Sequence, residues 1–453
     1  MFVRSAMAFV LASMLASPSA FADEDSPALM REPTGYTDVL DAFDEHDPFD
    51  LNLSVGFRRS QITSDIVRES AGPGAVAGDG AYAPVASQRQ LTNTLLVGVD
   101  IGIYRDLMIY GRLPVVLSDE RQLRAAGSTL IDLPFSVPFQ SPTRSGLDSL
   151  TTGLAWSITN QARQPHLPTW LVMIEGRFNI GKTLRACGST DLDAMTAGTP
   201  CRDTYRNDDT PNYTNDAGLT RGTHSLRIET RASRRVGLVE PYAGFAFEAE
   251  FLAQASNTFL PAGELAGMLR QNPPLRADAT VGLAVTPWEQ QAHSQRLTLD
   301  FRGSVSYVSA GRDYSPLFDA LGTSRDSSLT TPNYEVGDPQ NGPASLRKSF
   351  FYGITDVQAH ARIGGMVQLE MRAARYVKFN IGAGLYYTPP YLITAADACN
   401  ASVSVEADDR RRGTCRDGII NPSYRPSIDL ASRRFRVENE VQFDVSASVT
   451  ASF

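Results

Sequence analysis

Segments of alternating apolar and polar residues recur along this 453-residue chain, and the links between them alternate strictly between short and long. The segments lie near 50–64, 89–104, 107–121, 147–159, 168–184, 222–236, 239–254, 276–288, 295–309, 352–371, 376–391 and 438–453. A period of two puts apolar side chains on one face of a strand and polar ones on the other. The short links are Tyr104-Arg105-Asp106, 161–168, the turn at Val236-Gly237, 288–294 and 373–375. The long ones are 65–88, 122–146, 185–221, 255–275, 310–351 and 392–437. A soluble sandwich or propeller has no reason to produce such alternation. A barrel threaded through a membrane, with both chain ends on one side, predicts it. The expected fold is all-β: a single antiparallel transmembrane β-barrel of about 12 strands over 50–453, with short periplasmic turns and long extracellular loops.

The final segment, Val441 to Phe453, alternates up to its last residue, with odd positions facing lipid and even positions facing the lumen. A chain that ends inside a strand leaves an open edge unless the first strand closes onto it, so the first and last segments must pair. This ending resembles Gram-negative outer-membrane β-barrel proteins, which commonly finish on an aromatic residue. The resemblance implies recognition of the C-terminal strand by the barrel-assembly machinery, although Ala451 stands where a second aromatic is usual. Ser145 to Trp156, and Ile101 to Leu107 followed by Leu113-Pro114, resemble strand starts of outer-membrane transporters linked to phenol degradation by the meta pathway. Asp148 replaces a glycine of that pattern. The resemblance implies uptake of small, apolar or aromatic molecules.

The N-terminus reads as an export signal over residues 1–22. Arg4 precedes an apolar run from Ala6 to Ala16, and Ala20-Phe21-Ala22 is a small-x-small cleavage site. Residues 23–49 form an acidic segment: counted to Asp50 it carries ten acids against one base, Arg31. Tyr36, Val39, Leu40 and Phe43 fall at helix spacing, and Pro48 would stop that helix. The segment is either an amphipathic lumen plug or a flexible periplasmic tail. The cysteines fall as local pairs, Cys187 with Cys201 and Cys399 with Cys415. In an exported chain disulfides are the first reading, and a zinc site lacks the usual Cys-x-x-Cys or paired histidines.

A formal net charge of −8 argues against nucleic acid as a partner. Charges near the middle of a lipid face cost about 2–4 kcal/mol each, so strand charges are expected inside. The candidate lumen-lining and selectivity residues are Arg112, Glu175, Arg177, Arg227, Glu229, Arg231, Glu248, Glu250, Asp300, Arg302, Asp356, His360, Arg362, Glu370 and Lys378. They either polarise a pore or pair with one another and brace the wall. His360, read as mid-strand and luminal, is expected to be a luminal hydrogen-bonding residue rather than a hydrolase base, because no Gly-x-Ser-x-Gly or Ser-His-acid grouping accompanies it. Asp191, Asp193, Asp203, Asp208 and Asp209 crowd one outer loop as a solvated acidic loop or a calcium site, without EF-hand spacing. No cofactor is expected. The reading is a monomeric outer-membrane channel for small solutes, with membrane lipid and the assembly machinery as its other partners. The alternatives are a plugged structural barrel whose loops bind a partner and, more remotely, a hydrolase.

Overall fold

The computed structural model describes residues 33–40, 50–70, 81–126, 132–188, 201–205, 211–253, 259, 267–290, 293–334, 348–374, 376–400 and 419–453. Twelve long strands form the wall: β1 (Leu51–Ser70), β2 (Ala81–Tyr104), β3 (Leu107–Ala125), β4 (Ser149–Thr159), β5 (Thr169–Asn179), β6 (Thr223–Ser233), β7 (Val239–Leu252), β8 (Arg276–Gln290), β9 (Gln295–Val308), β10 (His360–Ala374), β11 (Val377–Thr388) and β12 (Phe435–Ser452). Each pairs antiparallel with the next, and β12 returns to pair with β1, so the sheet is closed. Closure reaches the last residue. Leu51 N–H donates to the Phe453 carbonyl at 3.1 Å, and Phe453 N–H donates back to Leu51 at 2.8 Å. No strand edge of the barrel is left to template another chain.

The exterior is apolar because alternation holds across the belt. Leu53, Val55 and Phe57 on β1, Phe245, Phe247 and Phe251 on β7, and Phe443, Val445 and Val449 on β12 are all exposed. Odd positions of the last strand therefore face outward, as the sequence implied. Tyr104, Trp156, Trp170, Trp288 and Tyr376 are exposed beside the short turns, an aromatic girdle that marks one membrane interface. All three tryptophans of the chain belong to it.

Strands β12, β1, β2 and β3 run to 18, 20, 24 and 19 residues. About 9–11 tilted residues suffice to cross a bilayer, so these four rise beyond it as a wall. Their upper parts occupy positions expected to be loop (65–70, 81–88, 122–125, 435–437), because irregularities reset the two-residue phase there. On β12, Asn439 adopts φ 52°; below it odd residues face lipid, and above it Val437 and Phe435 are buried. Similar shifts occur at Ile66/Val67 in β1 and at Asn93/Thr94 opposite β3.

Against this wall the long loops fold into a cap with its own core. Ile66, Leu123, Phe139, Phe351, Ile428 and Phe435 belong to one buried cluster, to which the short helix α1 (Phe318–Gly322) contributes Ala320 and Leu321. Phe318 of the same helix enters a second cluster with Leu184, Ala186, Phe259 and Ile354. The cap also carries α2 (Ser327–Thr330) and α3 (Pro426–Asp429). Among the described residues, a disulfide joins Cys187 to Cys201, as expected. Cys399 is also disulfide-bonded, and Cys415 lies outside the described residues. So do the export signal, Asp191, Asp193, Asp208 and Asp209.

The expectation for 352–371 needs correction. The barrel strand begins at His360, and residues 352–359 belong to the cap, where Thr355–Val357 pairs with Gly311–Asp313. Their alternation reflects burial within the cap rather than a wall facing lipid and lumen. Asp356 is consequently no lumen residue: it is buried beside Arg312 at 3.9 Å. His360 stands at the outer end of β10 instead of mid-strand, its ring stacked on Tyr391 at 4.0 Å.

Candidate functional site: the lumen

The inward residues of β5 to β9 form a ladder of ion pairs. Arg227 on β6 lies 2.8 Å from Asp278, 3.1 Å from Glu229 and 3.9 Å from Glu248. Arg231 holds the other oxygen of Glu229 at 2.6 Å. On β9, Arg302 pairs with Asp300 at 2.7 Å and donates to the Tyr242 hydroxyl at 3.1 Å, while that hydroxyl donates to Asp300. Arg177 faces Glu250 at 3.5 Å. Glu175 accepts the Tyr110 hydroxyl at 3.0 Å, and Arg112 pairs with Asp100 at 2.5 Å. Glu370 meets Arg296 at 3.5 Å, and Arg362 lies over the Tyr386 ring at 4.3 Å. The candidates on β3, β5 to β7 and β9 to β11 therefore gather on the lumen side of the wall, apart from Asp356 and His360.

Several partners were not anticipated. Arg276, Asp278 and Arg296 continue the inward phase of β8 and β9 near strand ends. Met108, Tyr110, Ala155, Leu171 and Met173 form an apolar cluster inside the barrel. Inward positions were expected to be polar, so these side chains gave no signal. Gly153 opposite Tyr110 supplies the room: a Cβ there would sit 2.5 Å from the phenol ring.

Residues 33–40 lie inside the lumen near its short-turn end. Thr34 N–H donates to Glu240 at 2.8 Å, and the Thr37 and Ser233 hydroxyls are 2.7 Å apart. Tyr36 stacks on Tyr242 at 4.1 Å, with the guanidiniums of Arg231 and Arg302 over its ring at 4.7 and 4.8 Å. Such cation–π contacts contribute about 0.5–2 kcal/mol each, more where water is excluded. Lys378 reaches Asp38 at 3.2 Å, and Val39 packs on the apolar cluster. The expected helix is not seen: residues 33–40 form a turn and extended chain, and 41–49 lie outside the described residues. Hydrogen bonds to the wall replace those a helix would have made within itself. Between this segment and the wall is a chamber of about 690 Å³, whose lining mixes Leu96, Met108, Tyr110 and Met173 with Arg112, Glu175, Arg302 and Glu370.

The cap above the lumen holds buried charges of its own. Asp319 of α1 receives Arg144 at 2.7 and 3.1 Å, the Ser141 hydroxyl at 2.6 Å and the Cys187 N–H at 3.0 Å. Asp429 of α3 accepts the N–H groups of Arg425 and Ala396 at 2.8 and 3.2 Å. Burial, reinforced by the nearby charge of Asp356, pushes Asp429 up to about 7 against those two hydrogen bonds. Burial likewise raises Asp356.

No protein-family model matches the chain, and no curated protein matches it. Among solved structures, an outer-membrane channel from Pseudomonas putida F1 shares 8% identity, with 93% of this chain and 99% of that one covered and a TM-score of 0.36. A FadL homologue from Pseudomonas aeruginosa shares 7% identity over 89% and 90% of the two chains, with a TM-score of 0.32. The outer-membrane protease OmpT of Escherichia coli shares 7% over 92% and 100%, with a TM-score of 0.29. Likenesses this distant leave the barrel resting on the strand pairing of the chain itself.

Proposed function

We propose that this chain is an exported outer-membrane channel that passes small solutes through its lumen, and that residues 33–40 plug the inner half of that lumen. The chamber between plug and wall carries this reading: its space is of the size used by small-molecule sites, and its lining mixes apolar side chains with ion-paired ones. The charges of the wall are largely mutually paired, which favours bracing over a strong single-sign field. A solute in the chamber would therefore meet a nearly neutral surface of mixed polarity.

The test is current through planar bilayers carrying refolded mature protein, compared with a variant lacking residues 23–46. The deletion is expected to raise unitary conductance. Unchanged conductance refutes the plug, and no current from either protein refutes the channel. The packed cap favours a second reading, a closed barrel whose outer surface binds a partner. That reading predicts no current from either protein.

A further inference from the structure

At the outer end of the lumen, three guanidiniums converge on one carboxylate. Glu250, with 1% of its side chain exposed, lies 3.2 Å from Arg221, 3.5 Å from Arg177 and 3.5 Å from Arg276. Arg221 also meets Asp313 at 2.7 Å, and the Thr223 hydroxyl donates to Glu250 at 2.9 Å. Three cations thus share two anions. The next set of pairs toward the inner end, around Arg227 and Arg231, contains more acids than bases.

Donors are also left over. Arg221 Nη2 and Arg276 Nε are buried without an acceptor. A buried N–H in that state is destabilising until an oxygen reaches it. Arg276 and Arg177 keep 37% and 24% of their side chains exposed, on the inward phase of β8 and β5. Glu250 Oε1 is likewise buried without a donor, so the cluster is positively charged and imperfectly paired, with Arg177 and Arg276 accessible from the lumen. Guanidinium groups match planar oxyanions because their N–H donors are held in a fixed fork.

We propose that Arg177, Arg221 and Arg276 form a binding site for the carboxylate of a small organic acid, with Glu250 holding the three guanidiniums in place. The site deepens the channel reading and rests on it for its role in passage. The acid-rich level beneath makes this a station for an anion at the outer end of the lumen rather than an anion-selective tube.

The experiment is calorimetric titration of the detergent-folded mature chain with benzoate, and with benzamide as the neutral control, at low and high salt. Benzoate should bind and benzamide should not, and 0.5 M salt should weaken the binding. Arg276→Gln and Arg177→Gln should each weaken benzoate about tenfold, the loss expected for one charge-assisted hydrogen bond. Equal binding of benzamide, or unchanged affinity in both arginine variants, would each overturn the site. Arginine-dependent benzoate binding in a protein that passes no current would instead refute passage and leave the site standing.

Discussion

Replacing Asp319 by alanine should unfasten the cap while leaving the barrel closed. The Asp319 carboxylate is the meeting point of three loops: Arg144 and Ser141 come from the β3–β4 connection, the Cys187 N–H from the β5–β6 connection, and α1 carries Asp319 itself. The Arg144 side chain has 0% exposure and that of Asp319 6%, so removing the acid strands a guanidinium, a hydroxyl and an amide away from water. Breaking a buried pair from one side costs about 3–5 kcal/mol. The barrel is held by separate ladders, so the loss should fall on opening of the cap as a local unit. Hydrogen exchange of Leu321, Leu329 and Ile428 amides should accelerate by roughly two to four powers of ten. Amides of β6 to β9 should not change. Asp319→Asn keeps the shape and one acceptor and should cost less. The pair Arg144→Met with Asp319→Leu should recover much of the loss, because matched apolar groups need no desolvated charge. Unchanged exchange in the cap, or equal acceleration in β6 to β9, would refute the reasoning.

Two further outcomes are expected. Asp429 titrates near 7 in the fold against an ordinary 3.8, so its contribution to stability is fully present below about 3.8 and is lost as pH rises through 7. Cap exchange should therefore slow as pH falls from 7.5 to 5 after correction for intrinsic rates, and Asp429→Asn should flatten that dependence. At Gly244 a Cβ would lie 2.2 Å from the Tyr36 hydroxyl and 3.2 Å from the Thr230 carbonyl. Gly244→Val should displace Tyr36 from its stack and raise conductance toward that of the plug deletion, with the barrel melting temperature little changed.

How much of this was legible in the sequence follows from what the two-residue period measures. The period reports a difference between two faces, so it located all twelve strands wherever lipid lay on one side and the lumen on the other. It fails where both faces are covered. Residues 435–437 and 122–125 are strand, yet they looked like loop because bulges such as the one at Asn439 exchange inside for outside. Residues 352–357 alternate for an unrelated reason, burial in the cap, and so Asp356 was misplaced into the wall. Inward charges such as Arg227 and Glu248 were readable because lipid forbids them. Inward apolar residues such as Met108 and Leu171 were not, because nothing in the local pattern distinguishes them from slips of phase. Contacts across the lumen were also beyond reach: the approach of Tyr36 to Tyr242 joins residues 206 apart and depends on closure of the whole sheet.

The cap and residues 33–40 are held by different physics, and on the proposed reading the difference bears on which end of the lumen opens. The cap is held by a cluster of 17 buried apolar residues drawn from three loops and four strands, and a core of that kind opens only as a unit. Residues 33–40 are held by directed contacts instead: hydrogen bonds to Glu240 and Ser233, an ion pair to Lys378, and the Tyr36 stack. Each such contact contributes on the order of 1 kcal/mol net, and water or the wall can replace it one at a time. The ladder of wall charges remains paired when Tyr36 leaves, since Arg231 keeps Glu229 and Arg302 keeps Asp300. Departure of the segment takes contacts from Glu240 and Lys378 but leaves both facing the lumen, whereas opening the cap pulls Arg144 from Asp319 together with the apolar core around them. On the proposed reading, the inner end is the one that moves.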